Sequence, residues 1–180
     1  MEVIGTSIEG VFIIKPRVFT DERGYFFESW SKALFDKAGI VKDFVQDNQS
    51  LSQAGVLRGL HFQNPPYSQA KLVRVIKGGV LDVAVDIRPQ SPTYGKHVSV
   101  ELNEENKLLF YIPEGFAHGF LTLQPDTIFS YKCSNIYHKA SEDCLKWDDP
   151  DLAINWNTTH PLVSGKDQEG KAFSSFQSLF

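Results

Sequence analysis

Apolar and polar residues alternate along short segments between residues 44 and 133, which is typical of β-strands that bury one face. In one segment Val83 and Val85 alternate with Asp82 and Asp86, so one face is apolar and the other carries carboxylates. The Gly78-Gly79 pair before it is a tight-hairpin signal. The alternation predicts eight strands here, at residues 44–51, 56–63, 71–77, 80–86, 97–102, 108–112, 117–123 and 128–133.

The first forty residues combine extended segments with one short helix. Residues 11–15 and the aromatic-rich residues 24–30 are predicted to be extended. Residues 31–38 are predicted to form a helix, because Ser31 can cap its first turn and Gly39 can end it. The expected apolar face of this helix is made by Ala33, Leu34 and Ala38.

The connections between the central strands are short and marked by Gly and Pro, as in Pro113-Glu114-Gly115. No helical period of about ten residues interrupts them, which argues against a parallel α/β sheet. Many antiparallel strands joined by regular turns are typical of a barrel or jelly roll. Beyond Pro150 the alternation ends, and we expect loops and a short helix laid over the barrel. We therefore predict one all-β domain over residues 1–180, an antiparallel jelly-roll barrel with short peripheral helices.

The amino-acid composition and the net charge exclude several classes of protein. A net charge of −4 argues against a nucleic-acid partner, because proteins that bind nucleic acids are normally basic. Two cysteines, Cys133 and Cys144, are too few and too widely spaced for a disulfide framework or a zinc site. The chain has no signal-peptide pattern and no run of about 20 apolar residues, so we expect a cytoplasmic protein without a membrane partner.

His61, in the predicted strand 56–63, is the first candidate for chemistry. A lone strand histidine is more often a hydrogen-bonded structural residue. Here strand alternation places Gly59, His61 and Gln63 on one face, and Gly59 leaves room for a ligand near the backbone. The same alternation places Arg58 on the opposite face, so Arg58 reaches the same site only through a β-bulge or from the rim.

Lys71 lies ten residues after His61, in a neighbouring predicted strand. A neutral imidazole can take a proton from carbon while an ammonium stabilises the resulting enolate oxygen. The segment 113–120 contains Pro-x-Gly-x-x-His, ending at His118, which is the second motif of cupin-type jelly rolls. Metal-binding cupins need a carboxylate ligand where this chain has Lys71, and an ammonium repels a divalent cation. We therefore predict a cupin-like barrel with no metal.

Tyr131 and Asp167 become candidates only in combination with His61. A buried strand tyrosine is usually a core residue, but a phenol across a cavity from the His/Lys pair could return a proton to the opposite face. A carboxylate in a polar loop is usually only solvated. If the C-terminal segment folds back, the Asp167 carboxylate can form a hydrogen bond with His61 and so fix the tautomer of the ring.

Six ordered blocks resemble the dTDP-4-dehydrorhamnose 3,5-epimerase family, whose members act in dTDP-L-rhamnose synthesis. Together they cover the chain from about Ile4 to Asp167, and such an ordered set is more specific than a single motif. The blocks are Val45-Gln46-Asp47-Asn48, Leu57-Arg58-Gly59-Leu60-His61, Lys71-Leu72-Val73-Arg74-Val75, Asp82-Val83-Ala84-Val85-Asp86-Ile87-Arg88, Pro113-Glu114-Gly115-Phe116-Ala117-His118-Gly119-Phe120 and Trp147-Asp148-Asp149-Pro150.

The resemblance implies an isomerase without cofactor or metal, a homodimer, and dTDP-4-dehydro-6-deoxy-glucose as the substrate. By matching position, His61 is the base that removes the protons at sugar carbons 3 and 5, with Asp167 as its partner. Tyr131 is then the acid, Lys71 stabilises the enolate at O4, and His118 lines the same pocket.

The resemblance also implies the residues that bind the nucleotide. Tyr137 would stack on the thymine, and Arg23 and Arg58 would bind the diphosphate with bidentate geometry. The full set implied for dTDP binding is Arg23, Glu28, Gln46, Asp47, Asn48, Arg58, Tyr137, Glu142 and Lys166. Arg23 and Glu28 lie in an N-terminal region that the two subunits of a dimer could share.

Three alternatives stay open. A related enzyme could invert only carbon 3 or carbon 5, or act on another dTDP-4-keto-6-deoxy sugar, with the same His61 and Tyr131. A ketoisomerase on the same barrel would instead yield a 3-keto product. A sugar-nucleotide-binding module without activity would not need the acid, the base and the lysine together, and this chain has all three.

Overall fold

The computed structural model describes residues 1–180, and most of its regular structure is β-strand. The fourteen strands are β1 (Glu2–Gly5), β2 (Phe12–Lys15), β3 (Phe19–Asp21), β4 (Gly24–Phe26), β5 (Gln46–Ser52), β6 (Val56–Gln63), β7 (Lys71–Lys77), β8 (Gly79–Asp86), β9 (His97–Asn103), β10 (Leu109–Ile112), β11 (Phe116–Thr122), β12 (Thr127–Cys133), β13 (Glu142–Cys144) and β14 (Leu162–Val163). The helices are α1 (Lys32–Lys37) and α2 (Gly165–Gln168), with single 3-10 turns at Lys139–Ser141 and Phe173–Ser175. None of them has the length and apolar character needed to cross a membrane.

Two facing sheets form the barrel. The first sheet has the order β1-β2-β10-β7-β12-β5, and the second has the order β13-β6-β11-β8-β9. Every pairing along these two paths is antiparallel, while β14 adds to β6 in parallel. Apolar residues from both sheets, among them Val73, Phe110 and Phe129 from the first and Ala84 and Phe120 from the second, fill the space between them. The predicted antiparallel, cupin-like jelly roll is confirmed.

The outer faces of both sheets are also covered. Leu145, Leu152 and Trp156 from the C-terminal segment pack on the outside of the second sheet, as the expected loops over the barrel. Because both faces of β8 are therefore buried, Asp82 and Asp86 are fully buried carboxylates. The sequence pattern predicts their shared face but not their burial.

Helix α1 covers the outside of the first sheet. It begins after Ser31 and ends before Gly39, whose φ of +85° suits glycine, as expected, but the Ser31 side chain makes no capping hydrogen bond. The predicted apolar face is wrong, because the side chain that packs inward is Phe35, against Trp30 at 4.5 Å between ring centroids. Leu34 remains 38% exposed. A helix of six residues is too short for a periodic face to form.

Strands β3 and β4 form a separate two-stranded hairpin with an exposed aromatic surface. Phe19, Tyr25 and Phe26 are 50%, 57% and 65% exposed. The extended segment predicted at residues 24–30 is a strand only over Gly24–Phe26. An isolated hairpin is marginally stable in water, so this one requires support from elsewhere.

Candidate active site

A cavity of about 140 Å³ lies between the two sheets and brings the main predicted residues together. His61 enters it from β6 of the second sheet, whereas Lys71 from β7 and Tyr131 from β12 enter it from the first sheet. The imidazole and the phenol therefore stand on facing walls. The complete lining is Gln46, Asn48, His61, Phe62, Gln63, Gln69, Lys71, Tyr131, Tyr137 and Glu142.

A β-bulge in β6 settles where Arg58 points. His118 pairs with His61 across the strands, but Phe120 pairs with Arg58, so β6 holds one extra residue between them. Leu57 and Leu60 both pack in the outer cluster in spite of their odd spacing. Because of the extra residue, Arg58 and His61 no longer have to lie on opposite faces of β6. Its Nε donates a hydrogen bond to Ser52 Oγ at 3.2 Å, and it lines a cleft beside His61.

The bulge depends on two glycines in contact. Gly59 has φ of +136°, a region that side chains rarely adopt. A Cβ on Gly59 would lie 2.5 Å from the Cα of Gly119 in β11, and a Cβ on Gly119 would lie 2.8 Å from the carbonyl oxygen of Arg58. The close approach of β6 and β11 is what turns the base strand toward the cavity.

Asp167 forms a hydrogen bond with His61, because the C-terminal loop folds back over β6. His61 Nε2 donates to Asp167 Oδ1 at 2.6 Å, because an ionised carboxylate can only accept. The backbone N–H of Gly59 donates to the other oxygen at 3.2 Å. Burial alone would raise the pKa of Asp167, but the hydrogen bond and charge interaction with His61, together with the bond from Gly59, lower it below its ordinary value.

The hydrogen bond to Asp167 fixes the histidine tautomer. With its proton on Nε2, His61 keeps a free lone pair on Nδ1, which makes no hydrogen bond within the chain. Asp167 is itself held by α2, where Ser164 Oγ caps the first turn by accepting from the Asp167 N–H at 3.1 Å.

The side-chain amine of Lys71 occupies a nearly closed position. It is 9% exposed, and its Nζ donates only a long bond of 3.4 Å to the carbonyl oxygen of His61. Burial lowers the pKa of Lys71, because an ammonium loses solvation in the sheet interior. A cation with spare donors beside the base can stabilise an oxyanion formed in the cavity.

Tyr131 faces His61 as a protonated phenol. Burial, and then the charge interaction with Cys133, raise the pKa of Tyr131, and the nearby Arg58 and Asn48 oppose them only in part. The phenol therefore retains its proton at neutral pH and can act as a donor.

His118 does not line the cavity itself. It pairs with His61 in register on β11 and is 6% exposed, with its Nε2 donating to both oxygens of Asp82 at 2.9 and 3.1 Å. Burial lowers the pKa of His118, which favours the neutral ring. His118 and Asp82 thus form a second, buried histidine–carboxylate pair behind the base.

Polar residues at the cavity mouth form a connected group. Gln46 Nε2 donates to Asn48 Oδ1 at 3.1 Å, and Gln46 Oε1 accepts from the Tyr137 N–H at 2.8 Å. The Tyr137 hydroxyl donates to Glu142 Oε2 at 2.9 Å, and Lys166 Nζ lies 2.5 Å from the same oxygen. This network positions the exposed ring of Tyr137 at the rim.

Three residues implied by the resemblance lie away from this cavity within one chain. Arg23 is exposed at the tip of the β3–β4 hairpin, where it pairs with Asp21. Glu28 lines a separate cleft beside α1. Asp47 lies on the outer face of β5, where Lys132 Nζ donates to it at 2.8 Å.

Three residues in or near the cavity were not predicted as site residues. Gln69 lies in the connection just before β7, two residues from Lys71, and it lines the cavity. Asp82 could have been found as a carboxylate in an otherwise apolar strand. Cys144 pairs with His61 across β13 and β6, and its Sγ, a ring nitrogen of His61 and an oxygen of Asp167 lie within 4.8 Å of one another. No spacing in the sequence indicates that contact.

The chain is similar to characterised sugar-nucleotide epimerases over nearly its whole length. A family model described as dTDP-4-dehydrorhamnose 3,5-epimerase matches residues 5–175. The dTDP-4-dehydrorhamnose 3,5-epimerase of Shigella flexneri is 52% identical over 174 residues, which cover 96% of each chain.

Solved structures agree with the sequence comparison. The dTDP-6-deoxy-D-glucose-3,5-epimerase of Legionella pneumophila, in complex with dTDP-4-keto-L-rhamnose, is 47% identical and superposes with a TM-score of 0.94, covering 98% of this chain and 94% of that one. A 3'-monoepimerase of Streptomyces bikiniensis in complex with dTDP-quinovose is 34% identical with a TM-score of 0.90, covering 96% of this chain and 88% of that one.

Proposed function

The chain belongs to the dTDP-4-dehydrorhamnose 3,5-epimerase family, and we propose that it converts dTDP-4-dehydro-6-deoxy-glucose to dTDP-4-dehydro-L-rhamnose. Family membership makes it a carbohydrate epimerase of the isomerase class. The single observation that carries the proposed mechanism is the placement of His61 and Tyr131 on facing walls of one cavity.

The first step is removal of a proton from a carbon next to the 4-keto group. Such protons are acidic because the anion delocalises onto the ketone oxygen, so inversion needs no change of oxidation state. His61 Nδ1 is the proposed base, because the hydrogen bond to Asp167 keeps the single proton of the neutral ring on Nε2. Asp167 then stabilises the imidazolium that forms.

The enolate is stabilised and reprotonated from the other sheet. Lys71 is proposed to donate to the developing oxygen at C4, in a site where burial strengthens the interaction. Tyr131 is proposed to deliver its proton to the face opposite His61, which inverts the carbon. Proton exchange with solvent must return His61 to its neutral form and Tyr131 to its phenol form before the same groups act at the second carbon.

We propose that the cavity mouth binds the nucleotide. Gln46, Asn48 and Tyr137 line the rim, where the exposed Tyr137 ring can stack on thymine. Arg58, Glu142 and Lys166 lie beside His61, and the two cations suit a diphosphate. His118 is proposed to support the base from behind.

We further propose a cytoplasmic homodimer in which residues 1–180 act as one domain. The exposed aromatic hairpin supports a partner surface, because Phe19, Tyr25 and Phe26 would gain burial there. Arg23 and Glu28 would then serve the partner's site rather than their own. Lys132 holds Asp47 outside the cavity, so any role of Asp47 in nucleotide binding would require it to leave this ion pair.

Proton NMR in deuterium oxide tests the reaction. Incubation with dTDP-4-dehydro-6-deoxy-glucose should place deuterium at both C3 and C5, and reduction followed by sugar analysis should yield the L-rhamno configuration. Deuterium at one position only would reject double epimerisation. The similarity to a 3'-monoepimerase makes single inversion the second candidate, and a 3-keto product would indicate a ketoisomerase instead.

A further inference from the structure

A thiol that proton transfer does not use lies beside His61, outside the lining of the active cavity. Cys144 lies opposite His61 in the β13–β6 pair and is 8% exposed. Its Sγ donates only to the carbonyl oxygen of Leu145, at 3.3 Å. Burial, followed by the nearby carboxylate of Asp167, raises the pKa of Cys144 to about 12. The side chain is therefore a neutral thiol that takes no part in proton transfer at neutral pH.

Cys144 completes a set of three different ligand types. The Sγ atom, a nitrogen of His61 and an oxygen of Asp167 lie within 4.8 Å of one another. Zinc binds sulfur at about 2.3 Å and nitrogen or oxygen at about 2.0–2.2 Å, which places tetrahedral ligand atoms about 3.5 Å apart. To reach this spacing, the ligand atoms would have to move by about 1 Å. The cleft lined by His61 and Asp167 leaves space for water as a fourth ligand.

We propose that this cluster is an inhibitory site for a thiophilic divalent cation such as Zn²⁺, and that the ion replaces the proton shared by His61 and Asp167. The effect on activity rests on the proposed epimerase function, whereas the binding itself does not. Hard cations such as Mg²⁺ should not compete, because they disfavour thiolate and imidazole ligands.

Inhibition follows from the tautomer that the ion imposes. In the active form Asp167 holds the proton on Nε2, and Nδ1 is free to accept a proton from carbon. When the ion binds Nε2, that proton moves to Nδ1 and the thiol proton is released to solvent. The charges of thiolate and carboxylate then balance the 2+ ion. The ring nitrogen that acts as the base is occupied.

The test compares wild type with Cys144→Ser, which keeps the size of the side chain but removes the thiolate ligand. In the presence of chelator the two should turn over at similar rates. Half-inhibition of Cys144→Ser should need at least about tenfold more Zn²⁺ than wild type, the order of magnitude for weakening a metal site. Chelator should restore wild-type activity. Cys133→Ser, which removes the other cysteine, should keep wild-type sensitivity.

A readout without substrate separates this inference from the proposed function. Co²⁺ added to wild type should produce a sulfur-to-cobalt charge-transfer band in the near-ultraviolet, and Cys144→Ser should lack it. Calorimetric titration with Zn²⁺ gives the affinity of both variants directly, and Cys144→Ala provides a second variant should the serine fold poorly. Equal Zn²⁺ affinity of wild type and both variants, or a cobalt band that survives loss of Cys144, would overturn the site.

Discussion

At the scale of single residues, the proposed mechanism divides one proton transfer between two sheets, with His61 as the base and Tyr131 as the acid. The Asp167 carboxylate leaves Nδ1 of His61 free to accept a proton, and burial keeps the Tyr131 hydroxyl protonated. A substitution of Tyr131 should therefore leave proton removal by His61 intact, and a substitution of His61 should leave the Tyr131 proton donor intact. That independence makes the two substitutions distinguishable in solvent-exchange experiments.

Replacement of the base should stop exchange but not binding. His61→Ala should abolish deuterium incorporation at C3 and C5, because it removes the proposed base. The affinity for dTDP should stay within about threefold, because the mouth residues that bind it are distinct. Exchange is followed by NMR and affinity by calorimetry. Parallel loss of both would indicate a folding defect and not a catalytic one.

Replacement of the acid should separate exchange from inversion. Tyr131→Phe should lower epimerisation by about 10²-fold or more, the typical contribution of a positioned acid. Because His61 remains, deuterium should still enter the recovered substrate with retention of configuration. The two rates are compared by NMR on the same sample. Complete loss of exchange in this variant would contradict the division of roles.

At the scale of elements, β6 is the strand on which the site depends. Its bounds, Val56–Gln63, and those of β7, Lys71–Lys77, match the predicted strands, because turn residues such as Gly55 and Gly78 mark where these apolar segments begin or end. The contact between Gly59 and Gly119, by contrast, depends on which strands pair. Alternation within one strand does not contain that information.

The glycine contact should be intolerant of a methyl group. Gly59→Ala should destabilise the protein by about 2–4 kcal/mol, since the new Cβ meets Gly119 at 2.5 Å and φ is +136°. Gly5→Ala in β1 is the matched control, because nothing lies within 4 Å of its Cβ position. It should change stability by less than about 0.5 kcal/mol. Urea unfolding measures both, and an equal effect would refute the role of the contact.

Asp86 at the end of β8 gives the fold an acid-sensitive element. Burial would raise its pKa, but hydrogen bonds from Arg88, Ser91 and Thr93 lower the pKa to about 2, from 3.8. A lowered carboxyl pKa stabilises the folded state above about pH 4, and this stabilisation is lost as the pH falls toward 2.

Asp86→Asn should therefore cost about 2 kcal/mol at neutral pH, the value that corresponds to this pKa change. The difference from wild type should shrink between about pH 4 and pH 2. Thermal unfolding across that range checks it, with the exposed Glu105→Gln as a control. A difference that is independent of pH would show that lost packing, and not charge, is responsible.

The parts of the site that the sequence could not predict have a common physical origin. The strands β13 and β14 have three and two residues, too few to display alternation. The hydrogen bond between His61 and Asp167 was predicted only for the case that the C-terminal segment folds back over β6, and the sequence pattern does not show whether it does. The contact with Cys144 had no signal at all. Long-range contacts made by short elements are decided by packing, which a one-dimensional pattern does not record.

At the scale of the whole molecule, one surface stands out. The β3–β4 hairpin displays three aromatic rings, whereas the outer faces of both large sheets are covered. The contrast supports the proposed homodimer, because a partner would bury these rings and bring Arg23 within reach of a second cavity.

Removal of the rings should weaken that assembly. The double variant Tyr25→Ser, Phe26→Ser should shift the protein from dimer toward monomer in light scattering, with a parallel fall in activity. Leu179→Ser, at a residue 66% exposed outside the hairpin, should leave the dimer intact. A hairpin variant that stays fully dimeric would place the interface elsewhere.

The distance in sequence between His61 and Asp167 has a consequence for how the enzyme comes into being. The two residues are 106 positions apart, and the carboxylate belongs to the segment that wraps the barrel last. A nascent polypeptide leaving the ribosome would carry its imidazole long before the anion that orients it. Such a chain would be catalytically silent through most of translation and would become competent only when its tail had emerged.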